Sequence, residues 1–221
     1  MANPKPAVPQ EQSDLFTKAE KFFEKNKKAV SIGFSVLLIL IIVVVALNNF
    51  YLPSREKEAQ AQIFKAQQYF EKDSFRLALD GDGNYDGFLK IIDNYGWTKA
   101  ACLSHYYAGV SYLRLGEYDN AIKHLKKFSA SEPVICAMAL GALGDAYSEK
   151  GDMDEAISYY KKAAGKADND FLSPYYLFKA GLALKVKGNK EKALEVFNKI
   201  KTDYPNSNEG RQIDKYIAMV S

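Results

Sequence analysis

From Ala29 to Leu52 the chain carries no charged residue, and its first 19 positions read AVSIGFSVLLILIIVVVAL. At ~1.5 Å per residue such a helix spans ~28 Å, about one hydrocarbon core. A buried core helix would be shorter. Asn48 and Asn49 end the run, Tyr51 suits a membrane interface, and Pro53 marks a helix boundary. The pattern predicts a transmembrane anchor over residues 29–52. A cleaved signal peptide is the rival, with Val44 and Ala46 as a loose cleavage pair. The 28 residues before the run and the length of the run itself favour an uncleaved anchor. In residues 1–28, Pro4, Pro6 and Pro9 imply a disordered start. Leu15, Phe16, Ala19, Phe22, Phe23 and Asn26 then fall at helical spacing. That stretch is a short amphipathic helix on the cytoplasmic leaflet or a helical run-in to the anchor.

Beyond residue 99 the pattern repeats. Gly116, Gly151 and Gly188 head three similar segments, LGEYDNAIKHLKKF, KGDMDEAISYYKKA and KGNKEKALEVFNKI. Seven residues before each lies another glycine, Gly109, Gly144 and Gly181, preceded by Ala108, Leu143 and Ala180. Five residues after each comes Ala121, Ala156 and Ala193, and nine after comes Leu125, Tyr160 and Phe197. Each unit reads as two antiparallel helices joined at the central glycine, with small residues where the helices cross and aromatics between them. Gly144 and Ala156 are expected to meet at one such crossing. Pro133 and Pro205 are expected to end second helices. One hairpin cannot bury both faces, so the units must stack.

This register resembles the tetratricopeptide repeat, with Phe128, Asp168 and Ile200 as departures. Upstream, GNYDGFLKIIDNY from Gly83 aligns with the segment from Gly116 and marks a degenerate unit. Phe88 stands there for the small alanine, with Gly87 giving it room. Its first helix is expected from Arg55 to Lys72, with Ile63, Ala66 and Phe70 on one face. The insert DSFRLALDGD alternates Phe75, Leu77 and Leu79, which predicts a short extended segment able to dock a partner by strand addition. A last helix from Ser207 to Val220 would bury Ile213, Tyr216, Ile217 and Val220 as a solenoid cap, with Ser207 capping it. The expected fold is all-α: an N-terminal transmembrane helix, then a tetratricopeptide α-solenoid. The parts are a degenerate repeat with insert over 53–99, three repeats over 100–205 and a capping helix over 206–221.

Charge adds the orientation. Residues 1–28 hold six Lys against four acids, while the chain as a whole carries 30 basic and 27 acidic residues. That balance excludes a dedicated nucleic-acid binder. Lys18, Lys21, Lys25, Lys27 and Lys28 precede the anchor, and Arg55, Lys57 and Lys65 follow it, which places the N-terminus in the cytoplasm. His105 and His124 lie in different helices of one repeat without the spacing of a metal site. Cys102 and Cys136 begin successive first helices, as small, partly buried thiols or, less readily, a disulfide. Asp80, Asp82, Asn84 and Asp86 alternate like a calcium loop, but Tyr85 and Ile91 stand where Gly and Glu are needed, so a turn is favoured. No catalytic motif or cofactor motif appears, and the expectation is a non-enzyme.

In tetratricopeptide folds the first helices line a concave groove. The resemblance assigns it Leu103, Tyr106, Val110 and Leu113, then Met138, Gly141, Asp145 and Ser148, then Tyr175, Phe178, Leu182 and Lys185. Nine of these twelve are apolar or glycine, which suits an extended apolar peptide or an amphipathic helix. The competing expectation is that the terminal helix or adjoining repeat fills part of the groove, above all at Phe178 and Leu182. The layout resembles the YfgM-like ancillary subunits of the bacterial Sec translocon, which are anchored in the inner membrane with a periplasmic repeat domain. That resemblance implies the SecYEG channel and a membrane-anchored periplasmic chaperone as partners. The alternatives are a structural adaptor in envelope assembly or division and a cytosol-facing import receptor on a eukaryotic organelle. The missing chaperone-tail clamp weighs against the receptor.

Overall fold

The computed structural model describes residues 24–221. The expected start of the chain and most of the helix over 15–26 lie outside the described residues. Contacts divide the chain into two units, 1–53 and 54–221.

In the first unit, α1 spans Lys27–Ala46 and buries none of its residues within the protein. It is long and apolar enough to cross a membrane. The helix does not stop at Asn48–Pro53 as the sequence suggests. A π-helical turn, Leu47–Tyr51, leads directly into α2, Leu52–Glu71. Proline lacks an N–H and its ring crowds the carbonyl four residues back. The wider turn relieves this: the Leu52 N–H reaches back five residues to the Leu47 carbonyl, and Pro53 falls among the opening residues of α2.

The second unit is a stack of helical hairpins. After α2 come α3 (Phe75–Asp80), α4 (Phe88–Tyr95), α5 (Lys99–Arg114), α6 (Tyr118–Leu125), α7 (Pro133–Glu149), α8 (Met153–Ala167), α9 (Leu172–Val186), α10 (Lys190–Asp203) and α11 (Ile213–Ala218). A single 3₁₀ turn, Gly210–Gln212, precedes α11, so the capping helix is shorter than expected. Ser207 does not cap α11 but accepts from the Gly210 N–H at 2.9 Å at the start of that turn, and Ile213 and Val220 are buried. Pro133 opens α7 instead of closing α6; at a first helical position its missing N–H has no partner to lose.

The three hairpin turns have one chemistry. Gly116, Gly151 and Gly188 take φ of 76°, 81° and 84°, a region costly for any residue with a Cβ. At each, the next residue's N–H bonds back five positions at 2.9 Å, Glu117 to Tyr112, Asp152 to Tyr147 and Asn189 to Leu184. The glycine N–H bonds back three, to Leu113, Ser148 and Lys185. This Schellman pattern satisfies the last carbonyls of the first helix. Asp152 and Asn189 then cap the second helix through Glu155 and Lys192 N–H.

The second glycine of each repeat works by contact. A methyl group on Gly109 would lie 2.5 Å from Leu125, and one on Gly144 2.6 Å from Tyr160. Gly181 is approached closer still by Phe197. In all three repeats the glycine meets the large residue sixteen positions on. The closest atoms to Gly144 therefore belong to Tyr160 and not to Ala156, which lies buried one helical turn earlier. Turns are also tied from one repeat to the next. Lys150 pairs with Asp119, and Lys187 with Asp154.

The degenerate unit departs from expectation in two places. The insert is helical: α3 buries Ala78 and Leu79 and leaves Leu77 exposed. Phe75, Ala78 and Leu79 fit the i, i+3, i+4 spacing of a helix face, and the apparent alternation ignores Ala78. Strand addition through Phe75, Leu77 and Leu79 is thereby excluded. Gly87 serves the backbone, since a Cβ there would collide with the Leu79 carbonyl beside the Gly81–Asp86 bridge. The Phe88 ring finds its space against Tyr107, stacked at 5.2 Å, and Phe70, edge-on at 6.5 Å. Ile63 and Ala66 are buried beside this cluster, as the helical spacing predicts.

Candidate functional site: a tyrosine-lined groove

The first helices α5, α7 and α9 follow one another in the stack, and their facing residues open onto one cleft of about 760 Å³. Of the twelve groove candidates, Tyr106, Val110 and Leu113 from α5, Met138 and Asp145 from α7, and Tyr175 from α9 line it. Gly141 and Ser148 line it as well. Met138 and Tyr175 are each 40% exposed, so the groove is open to a ligand.

Leu103 and Phe178 lie outside it. Leu103 packs on the core built by α2, α4 and α5, because the upstream unit covers that end of α5. Phe178 sits against Tyr216 of α11 at 4.6 Å and near Phe197 at 6.1 Å. Leu182 packs on the same C-terminal core. The terminal helix thus closes the groove at Phe178, one of the two positions where self-occupation is most expected.

Several lining residues escape a reading confined to four positions per first helix. Tyr160 comes from α8, Tyr176 and Lys179 from another face of α9, and Arg114 and Glu149 from helix ends. Tyr176 reaches the groove floor because Gly141 offers no side chain: a Cβ there would overlap its ring. The usable signal was the residue sixteen positions after each crossing glycine, which singles out Tyr160.

At the centre sits an anion with two donors. Asp145 Oδ1 accepts from the Tyr160 hydroxyl at 2.7 Å and from Lys179 Nζ at 2.6 Å. Lys179 also stands 5.2 Å from the centre of the Tyr175 ring and 5.4 Å from that of Tyr160. Burial, followed by the Asp145 charge, drives the Tyr160 hydroxyl far above its usual range. Burial does the same for Tyr176, with Tyr175 and Asp145 adding to it. Burial alone would lower Lys179, but the bond and charge of Asp145 outweigh it and its pKa is raised. The hydroxyls therefore stay protonated, and the charges at the groove centre are paired. With Arg114 and Glu149 at the margins, the wall is more polar than an apolar groove.

The other chemistry-bearing residues have local partners. Cys102 and Cys136 are free thiols that donate to the neighbouring carbonyls of Ser129 and Ala130 at 2.8 and 3.0 Å. Asp82 turns its carboxylate inward: Oδ1 accepts from the N–H of Asn84 and Tyr85, and Oδ2 from the Tyr69 hydroxyl. His105 and His124 are not separate helix-surface residues. Their Nδ1 atoms face each other at 3.1 Å, so one ring donates and the other accepts. Burial, then His105, Lys123 and Lys127, lowers the His124 pKa to about 4.

Two sequence models of the tetratricopeptide repeat match this chain, one over residues 106–171 and one over 175–207. A tetratricopeptide repeat-containing protein of Methanocaldococcus jannaschii is 35% identical over 124 residues. The match takes in 55% of this chain but only 21% of that protein, so the chain spans about a fifth of its length. Repeats of this kind stack into surfaces that bind other proteins. The helical hairpins of residues 106–171 and 175–207 are repeats of the tetratricopeptide type.

Proposed function

We propose that this chain is a non-catalytic, membrane-anchored interaction protein whose groove receives polypeptide segments at the exit of the bacterial Sec translocon. Residues 29–52 hold it in the inner membrane with the N-terminus cytoplasmic and the repeats in the periplasm. The excess of lysine before the apolar run, ending in Lys27–Lys28, supports that direction. The SecYEG channel and a membrane-anchored periplasmic chaperone are the partners implied by the resemblance to YfgM-like subunits.

The tyrosine lining of the groove carries the reading. Tyrosine offers a large contact face with little conformational entropy to lose, and its hydroxyl keeps a polar handle. With the central charges already paired, such a wall selects weakly for sequence, which suits emerging chains of many kinds.

Two measurements test it. A photoreactive side chain in place of Tyr106 should crosslink to an exported chain while that chain is being translocated, and Tyr106→Ala with Tyr175→Ala should abolish most capture from position 138. Aromatic anchors of this type contribute about 2 kcal/mol or more when removed singly. A reporter enzyme active only outside the inner membrane should be active when fused after Ser221. Crosslinks confined to division or secretion proteins, or a stable but inactive fusion, would refute the proposal.

A further inference from the structure

Trp97 is the single tryptophan of the chain, and it is 94% exposed. An exposed indole is uncommon on a soluble face, and here the backbone around it is tightly held. Thr98 on one side is buried; its N–H and hydroxyl both donate to the Tyr95 carbonyl, at 2.8 and 2.7 Å. The hydroxyl oxygen also accepts from the Ala101 N–H at 3.0 Å and so caps α5.

The loop is fastened on both sides to the first turn of α2. Arg55 donates to the Asn94 carbonyl at 2.7 Å, and its guanidinium lies 4.4 Å from the centre of the Tyr95 ring. Glu56 accepts from the Lys99 N–H at 2.6 Å and from that of Ala100 at 3.3 Å. Arg55 and Glu56 follow Leu52, the last residue of the apolar segment, by three and four positions. Three helical residues rise ~5 Å. The interfacial zone on each side of the hydrocarbon is about 5–8 Å deep. By distance along the chain, the two residues that hold the Trp97 loop are thus within one interfacial depth of the end of the apolar segment. Lys99, two residues on, is exposed and can meet an anionic headgroup. Tryptophan, with an apolar body and one N–H, prefers that depth.

We propose that Trp97 inserts into the headgroup region of the same membrane that holds residues 29–52, giving the repeat unit a second attachment to the lipid. The inference rests on the reading of residues 29–52 as an anchor. Because Trp97 is the only tryptophan, intrinsic fluorescence of the unmodified full chain reports it alone. The full chain is reconstituted into vesicles of zwitterionic and anionic phospholipid without any other protein, and emission is compared with that of the same protein held in a non-lipid amphipathic polymer. The expected result is a blue-shifted emission in vesicles, quenching by lipids brominated near the top of the acyl chain, and loss of most quenching by acrylamide, which crosses membranes and reaches either face. Protein that stays with the vesicles through alkaline extraction, yet keeps water-like emission and full acrylamide quenching, would overturn the proposal and leave the anchor standing. A shift that appears only when SecYEG is added would overturn it too. Protein released by alkaline extraction would instead bring down the anchor, and this inference with it.

Discussion

Asp145 shows how much a single position in the groove does: one carboxylate oxygen holds a tyrosine from the second helix of its own repeat and a lysine from the next repeat. Glycines show the complementary case, where the missing side chain is the functional part. A Cβ on Gly144 would meet the Tyr160 ring at 2.6 Å, and that ring is itself pinned to Asp145. Gly144→Ala should therefore destabilise the protein by about 1–3 kcal/mol through overpacking. Gly165 in α8 is exposed, with nothing within 4 Å of the site of a Cβ. Gly165→Ala should act in the opposite direction, stabilising by about 0.5–1 kcal/mol, because alanine loses less backbone freedom in a helix. Denaturant midpoints of the two variants check the pair, and equal signs would contradict the packing. Ser111 adds a smaller case: its buried hydroxyl has no partner among the described residues. Ser111→Ala should leave the midpoint unchanged or raise it slightly.

Between elements, α5 and α6 are joined through the His105–His124 contact, which brings acid sensitivity to the first complete hairpin. His124 falls from an ordinary value of 6.5 to about 4, first through burial, then through His105, Lys123 and Lys127, against an opposing Asp93. The folded form therefore binds its proton more weakly than the unfolded chain does. The neutral pair is fully stabilising above pH ~6.5, and that contribution is lost as the pH falls towards ~4. Allowing for solvent screening of a half-buried ring, the loss is on the order of 1–2 kcal/mol. His124→Gln should flatten the fall in denaturant midpoint between those pH values relative to the parent, and an unaltered slope would discount the pair. Elements were also where the sequence could be followed best and lost most abruptly. The spacing of Gly109, Gly116, Ala121 and Leu125, renewed twice, announces the hairpins, because turn, crossing and filler each require a particular kind of residue. Helix α3 reads as extended because six residues are too few to separate a period of 2 from one of 3.6 once Ala78 is passed over. Pro53 reads as a helix boundary because a wide turn upstream is not visible in residue types. In the groove, Tyr106 and Tyr175 follow from register alone. Lys179 and Tyr176 do not, since their entry depends on the vacancy at Gly141, and Phe178 was lost to a contact from a helix outside the repeats.

Across the repeat unit, stacked hairpins touch only their neighbours, so each repeat depends on having something to lean on. At one end that support is α2 with α4, and at the other it is α11. Removal of residues 210–221 should expose Phe178 and Leu182, lower the thermal midpoint and bare the outer face of α10; a midpoint that does not move would show that α11 contributes no support. The same helix has a second effect. Because Tyr216 occupies the position at Phe178 that would otherwise continue the wall, the groove has a blind end. On the function proposed above, a segment lying in the groove stops at α11, so short segments fit whole and longer ones must turn out of the groove there.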